Sequence, residues 1–132
     1  NESLDRIIFI ESIGFSNNII NLIKNCYKLL KKGGKLYIRT IIIPTSNYKF
    51  INNELNEIQK NLNGKLYYDD NIIYFLQNAG FKDIKTSSIP LIYSENLDNV
   101  SFVNTIYKLK LLSLKKIWAS FSMSTGIYVA TK

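Results

Sequence analysis

The chain has 132 residues, 46% apolar and 20% charged, the length and balance of one compact globular domain. It has no histidine, which excludes histidine-based acid–base catalysis, Ser–His triads and the ordinary zinc sites, and its one cysteine, Cys26, excludes an internal disulfide. The net charge of +7 comes almost wholly from scattered lysines, so it marks no basic cluster, although a surface of this sign attracts nucleic acid, anionic lipid or phosphorylated compounds.

In chain order, the first residues do not form a charged, apolar and small-residue leader, and the longest apolar runs are strand-sized. Neither a secretory signal nor a membrane span is expected, the single cysteine is compatible with a reducing compartment, and a cytoplasmic location is the expectation. A start at Asn1 rather than methionine fits a processed product or one part of a longer protein. "RIIFI" (Arg6 to Ile10) is continuously apolar after its arginine, the pattern of a strand buried on both faces of a parallel sheet. It stops at Glu11, and "SIGFSNN" is loop chemistry. From Asn18 to Lys32, residues Ile19, Leu22, Ile23, Cys26, Leu29 and Leu30 recur at helical spacing. Ser16 or Asn17 suits the cap, and Gly33-Gly34 suits the stop. "KLYIRTIII" (Lys35 to Ile43) is the next strand, closed by Pro44, and the three elements make a right-handed βαβ unit.

A polar surface helix is expected from about Phe50 to Leu62. Asp69 or Asp70 then caps a helix with an inner stripe of Ile72, Phe75, Leu76 and Ala79, ended by Gly80. "FKDIKTSSIP" is a shorter strand near a sheet edge, one or two helices fall between Glu95 and Met123, and "TGIYVATK" is a final strand. The order is β, α, β, α, α, β, α, β. A strand as apolar as "RIIFI" belongs in the middle of its sheet, yet only one parallel neighbour is available, so half a sheet is missing.

"LDRIIFIES", "IINLIKNCYKLLKKGGKLYI", "IIYFLQNAGFKDI" and "TGIYVATK" together resemble the C-terminal half of a class I S-adenosylmethionine-dependent methyltransferase, over nearly the whole chain. The similarity is greatest to the small-molecule group of cyclopropane-fatty-acid-synthase-like and sterol enzymes. It implies an α/β, Rossmann-like sheet comprising that family's strands four to seven, the last antiparallel. Residues 1–132 would then form the C-terminal part of a single methyltransferase domain. The implied cofactor is S-adenosylmethionine. The chain departs from the family in lacking any G-x-G, the acidic residue for the ribose, and the His or Glu-His after the fourth strand, where "GFSNN" stands. A glycine-rich loop would therefore come from an N-terminal half or from a partner chain.

Glu11 lies just past the carboxyl end of a central strand, where open α/β sheets bind ligands, and a carboxylate there suits a sulfonium, an amine or a substrate proton. Its plainer role is a hydrogen bond to its own loop. The resemblance sets Ile10, Glu11 and Ser12 beside the cofactor. Phe15 walls a substrate pocket or staples the next helix. Arg39 binds an anionic substrate group or makes a surface salt bridge. Tyr67 and Tyr68 line the pocket or half-bury at a helix start. Asp69 and Asp70 read as a cap rather than a metal pair, so no metal is expected; Cys26, Trp118, Phe121 and Met123 read as packing. The expected function is methyl transfer to a small or lipid-like substrate by in-line displacement, with Glu11 as the one catalytic candidate. The alternatives are a non-catalytic methyltransferase-like subunit that supports a partner, and RNA methylation, for which a basic cluster and stacking aromatics are wanting.

Overall fold

A computed structural model describes residues 2–43, 64–90 and 124–132. The expected helices near 50–62 and 95–123, with Pro44, Trp118, Phe121 and Met123, lie outside the described residues. Strand β1 (Leu4–Ile10) leads through a short 3-10 turn (Ile13–Phe15) to helix α1 (Ile19–Leu29) and strand β2 (Leu30–Ile43). A two-residue strand β3 (Tyr67–Tyr68) then opens helix α2 (Asp69–Ala79), followed by β4 (Lys82–Pro90) and β5 (Ser124–Thr131).

The sheet runs β1-β2-β5-β4, with β3 beside the far end of β2. β1 and β3 are parallel to β2, and β5 is antiparallel to both β2 and β4. An α/β sheet with an antiparallel last strand and β4 at its edge is the expected architecture. Alternation along the strands sorts the residues: Leu36, Ile38 and Ile42 of β2 and Tyr128 and Ala130 of β5 face one way and are buried. Ile19, Ile23 and Cys26 of α1 and Ile72 and Leu76 of α2 cover them. Fully burying a side chain the size of Leu76 contributes about 2–3 kcal/mol, so this layer holds the helices to the sheet. Tyr27 meets Phe81 edge to face at 5.1 Å, joining α1 to the turn after α2.

Three local expectations are corrected. Neither Ser16 nor Asn17 caps α1: Asn18 does, its Oδ1 accepting from the Asn21 N–H at 3.0 Å, while the Ser16 Oγ accepts from the Asn18 N–H. Gly33-Gly34 does not end α1, which stops at Leu29 because Leu30 turns extended and buries its side chain. The glycines lie within β2, where Leu4 pairs Leu30 but Arg6 pairs Lys35, so residues 31–34 form a bulge in β2, with Gly34 buried. They meet the end of the chain, Gly33 N–H donating to Lys132 O and Lys132 N–H to Gly34 O. Finally, Asp69 and Asp70 occupy the first turn of α2 rather than its cap, favourable against the helix dipole; the cap position is Tyr68, whose N–H donates to Asn71 Oδ1. Gly80 does end α2, with φ 102° and the Phe81 N–H returned to Leu76 O.

Candidate functional site

The carboxyl end of β1 brings Glu11 beside Arg39, which lies within β2 before its end at Ile43. The ladder places Ile10 opposite Arg39, and one step further the Glu11 N–H donates to Arg39 O at 2.9 Å. The side chains continue this pairing, Arg39 Nε lying 3.5 Å from Glu11 Oε1. Glu11 has φ 50°, in the left-handed region, so the chain turns sharply off β1 at a residue that gains nothing intrinsically from that conformation. Both side chains remain accessible, at 57% for Arg39 and 40% for Glu11. The pair orients the carboxylate without hiding it.

Beyond Glu11, Ser12 precedes the 3-10 turn and its C=O accepts from the Phe15 N–H. Ile10 and Phe15 expose large apolar surfaces, at 61% and 66%. Phe15 is not among the buried residues, and Ile13, fully buried, anchors this loop. Gly14 is a contact that sequence reasoning missed. Its C=O accepts from the Lys65 N–H at 2.7 Å, and a Cβ on Gly14 would stand 2.5 Å from Lys65 O. Gly64 lies against the Phe15 ring. The loop after β1 is thus strapped to the segment that enters β3. A glycine in a loop just past a strand was the available signal, since close backbone approach is one of the few reasons for it.

Tyr67 and Tyr68 pair with Ile42 and Ile43 at the end of β2. Burial pushes the Tyr67 phenol above its usual range, and its ring meets Phe75 edge to face at 5.9 Å. Tyr67 is therefore tied to α2 as well as to the sheet. Also missed was the bond from the buried Tyr128 hydroxyl to Asp69 Oδ1, which fastens β5 to the first turn of α2. Burial, then the bond and charge of Asp69, hold the Tyr128 phenol protonated well above the ordinary range. The structure thus joins Glu11 with Arg39, and ties Phe15 through Gly14 and Lys65 to the Tyr67–Tyr68 strand. Among the described residues no group of three or more acidic or cysteine side chains is placed to hold a metal. No helix among them is long and apolar enough to cross a membrane.

Solved structures share this arrangement over the whole chain. A SAM-dependent methyltransferase of Thermotoga maritima, described as a possible histamine N-methyltransferase, matches with TM-score 0.64 at 17% identity, covering 99% of this chain and 57% of its own. A cyclopropane synthase of Mycobacterium tuberculosis matches with TM-score 0.67 at 17% identity, covering 100% and 56%. Phosphoethanolamine N-methyltransferase 2 of Haemonchus contortus, in complex with S-adenosyl-L-methionine, gives 0.63 at 17%, covering 99% and 34%. The fold is that of class I methyltransferases. No family model and no curated protein matches the sequence. In each of these three cases the chain spans less than two thirds of the methyltransferase it matches. Within the methyltransferase fold, Glu11, Ser12 and Arg39 stand at the edge where open α/β sheets receive ligands.

Proposed function

We propose that this chain is the C-terminal part of one SAM-dependent methyltransferase domain, acting in the cytoplasm on a small or lipid-like substrate. The observation that carries the reading is the sheet order β1-β2-β5-β4 with its antiparallel β5, matched over the whole chain by methyltransferase structures. Parallel β1 and β2 direct their carboxyl ends, and the loop after β1, to one edge.

The residues at that edge suit one side of S-adenosylmethionine. Ile10 offers apolar surface, Ser12 offers polar groups in a backbone turn, and Glu11 offers a carboxylate whose negative charge complements a sulfonium. The glycine-rich cradle is supplied from outside these residues, by an N-terminal half or a partner chain. When bound, the cofactor supplies an electrophilic methyl group. The chain's own part is positioning and charge, which is where such a displacement gains most. Arg39 holds the Glu11 carboxylate in one orientation, Phe15 presents an exposed ring to the apolar part of a substrate, and Tyr67 and Tyr68 close the far side beside β2.

The test is calorimetric titration of S-adenosylmethionine into the natural assembly, with any co-purifying polypeptide retained. The expected result is one-to-one binding in the micromolar range, weakened roughly tenfold by Glu11→Gln through the loss of one charge contact. A folded, intact assembly that binds none overturns the enzyme reading and leaves a supporting subunit.

A further inference from the structure

Basic residues that look scattered along the sequence are gathered by the sheet register. β1 and β2 run parallel, and β5 is antiparallel to both β2 and β4. The starts of β1, β2 and β4 and the end of β5 therefore share one edge, opposite the edge that holds Glu11. The turns that enter β2 and β4 at this edge are described throughout, and the strand ends that flank 44–63 and 91–123 meet at the other edge. Along the first common row, Arg6 pairs Lys35, Lys35 pairs Thr131 and Thr131 pairs Lys82, so these side chains stand on one face. Lys85 follows on the same face, opposite Val129. This face is turned away from α1 and α2, because the adjacent Ile7, Leu36 and Ala130 pack on the core.

With strands about 4.8 Å apart, Arg6, Lys35 and Lys82 make a line of charge roughly 15 Å long. These three and Lys85 are exposed, and among the described residues none of them makes an ion pair. The carboxylates of Asp5 and Glu2 are taken by Lys31 and Lys132. Asp83, in the bulge of β4, makes no ion pair either. Like charges set directly opposite, as Arg6 and Lys35 are, repel each other, and an anion between them removes the repulsion. Tyr37 stands one row further along the same face, between Ile8 and Val129. It is half-buried, and among the described residues its ring meets no other aromatic and its hydroxyl has no hydrogen bond.

We propose that this row binds single-stranded nucleic acid, with its phosphates along Arg6, Lys35, Lys82 and Lys85 and one base against Tyr37. The surface is read from the sheet register and does not depend on the methyltransferase reading. A line of unpaired cations with a ring beside it supplies the two contacts a single strand uses, charge for the backbone and a flat surface for a base. An anionic membrane fits less well, since a half-buried ring does not reach into a bilayer, whereas a base laid against it stacks.

Fluorescence anisotropy of a labelled oligouridylate, titrated with the natural assembly freed of nucleic acid, tests this. The slope of log K against log salt is expected to be about −2 to −3, as for three to four phosphates of a single strand. Lys35→Gln and Lys82→Gln are each expected to make it shallower by about 0.7, whereas Tyr37→Leu weakens binding roughly tenfold and leaves the slope unchanged. Lys24→Gln removes the same charge from an exposed position of α1 and is expected to change neither. Lys35→Gln also relieves the repulsion with Arg6, so the thermal midpoint stays level or rises while binding falls, which separates a lost contact from a damaged fold. No binding of oligouridylate, or equal weakening by Lys24→Gln and Lys35→Gln, overturns the site. Inorganic polyphosphate binding as tightly as oligouridylate, with Tyr37→Leu without effect, leaves a polyanion surface and overturns the nucleic acid. Attachment to phosphatidylserine vesicles in place of oligouridylate, lost with Lys35→Gln, gives the row to a membrane and overturns it likewise.

Discussion

Glu11 holds a left-handed backbone conformation that glycine adopts freely and a glutamate does not. Its ion pair with Arg39 is solvent-exposed and contributes at most about 1 kcal/mol, too little to explain why a glutamate stands there. Glu11→Gly is therefore expected to leave stability unchanged or raise it by about 1 kcal/mol in urea unfolding, while weakening cofactor binding. A clear loss of stability would assign Glu11 to the fold. Buried protons give a second prediction. Burial raises Cys26 from 9.0, and burial with the Asp69 bond raises Tyr128 from 10.0. In both, the folded chain keeps a proton that the unfolded chain loses at lower pH. Their contribution is intact below about pH 9 and falls as pH rises past the unfolded values, by up to about 1.4 kcal/mol per pH unit for each group. Tyr128→Phe removes its share of that slope above pH 10 and loses roughly 1–2 kcal/mol at neutral pH with the hydrogen bond to Asp69. Chemical unfolding at pH 7, 9 and 10.5 checks both.

At the level of elements, the strap between the 3-10 turn and the entry to β3 rests on one backbone approach. Gly14→Ala forces Lys65 O away and is expected to cost about 1–3 kcal/mol, with faster exchange at the Lys65 amide as the local sign. Much of this layer was legible. The apolar spacing of α1 and α2 identified Ile19, Ile23, Cys26, Ile72 and Leu76 as buried, and Gly80 as a stop, because periodicity and a left-handed cap are local properties. The join between α1 and β2 was not. Two lysines and two glycines after a helical stripe make a local stop signal, but pairing with Leu4 and with the last residue of the chain draws that segment into the sheet. β3 was illegible for the same reason, since two tyrosines become a strand only when Ile42 and Ile43 lie beside them. The pairing of Glu11 with Arg39 needed the β1–β2 register, which no spacing along the chain reveals.

Across the whole molecule, the two ends of the chain meet. Lys132 Nζ lies 2.8 Å from Glu2 Oε1 and 2.7 Å from Leu30 O, with its ammonium 4.8 Å from the centre of the Tyr27 ring. Its side chain is nearly buried, so Lys132→Met retains the stem and removes the charge-assisted bonds. The expected loss is about 1–2 kcal/mol, and the midpoint of thermal unfolding should fall by several degrees. The antiparallel last strand was anticipated from the family resemblance and agrees with the structure, whereas its place between β2 and β4 was not read from the sequence, and composition and periodicity reached only as far as a βαβ unit with one parallel neighbour too few and an edge position for β4.

The placement of β5 between β2 and β4 has a consequence for how the molecule is made. Residues 44–123 are synthesised after β2 and before the strand that pairs with it. Contacts across so long a stretch of sequence form slowly, and until they form β4 has no partner among the described strands. Until residues 124–131 have been made and have docked, β2 is open on its β5 side, an unpaired edge of the kind that invites joining with the wrong strand.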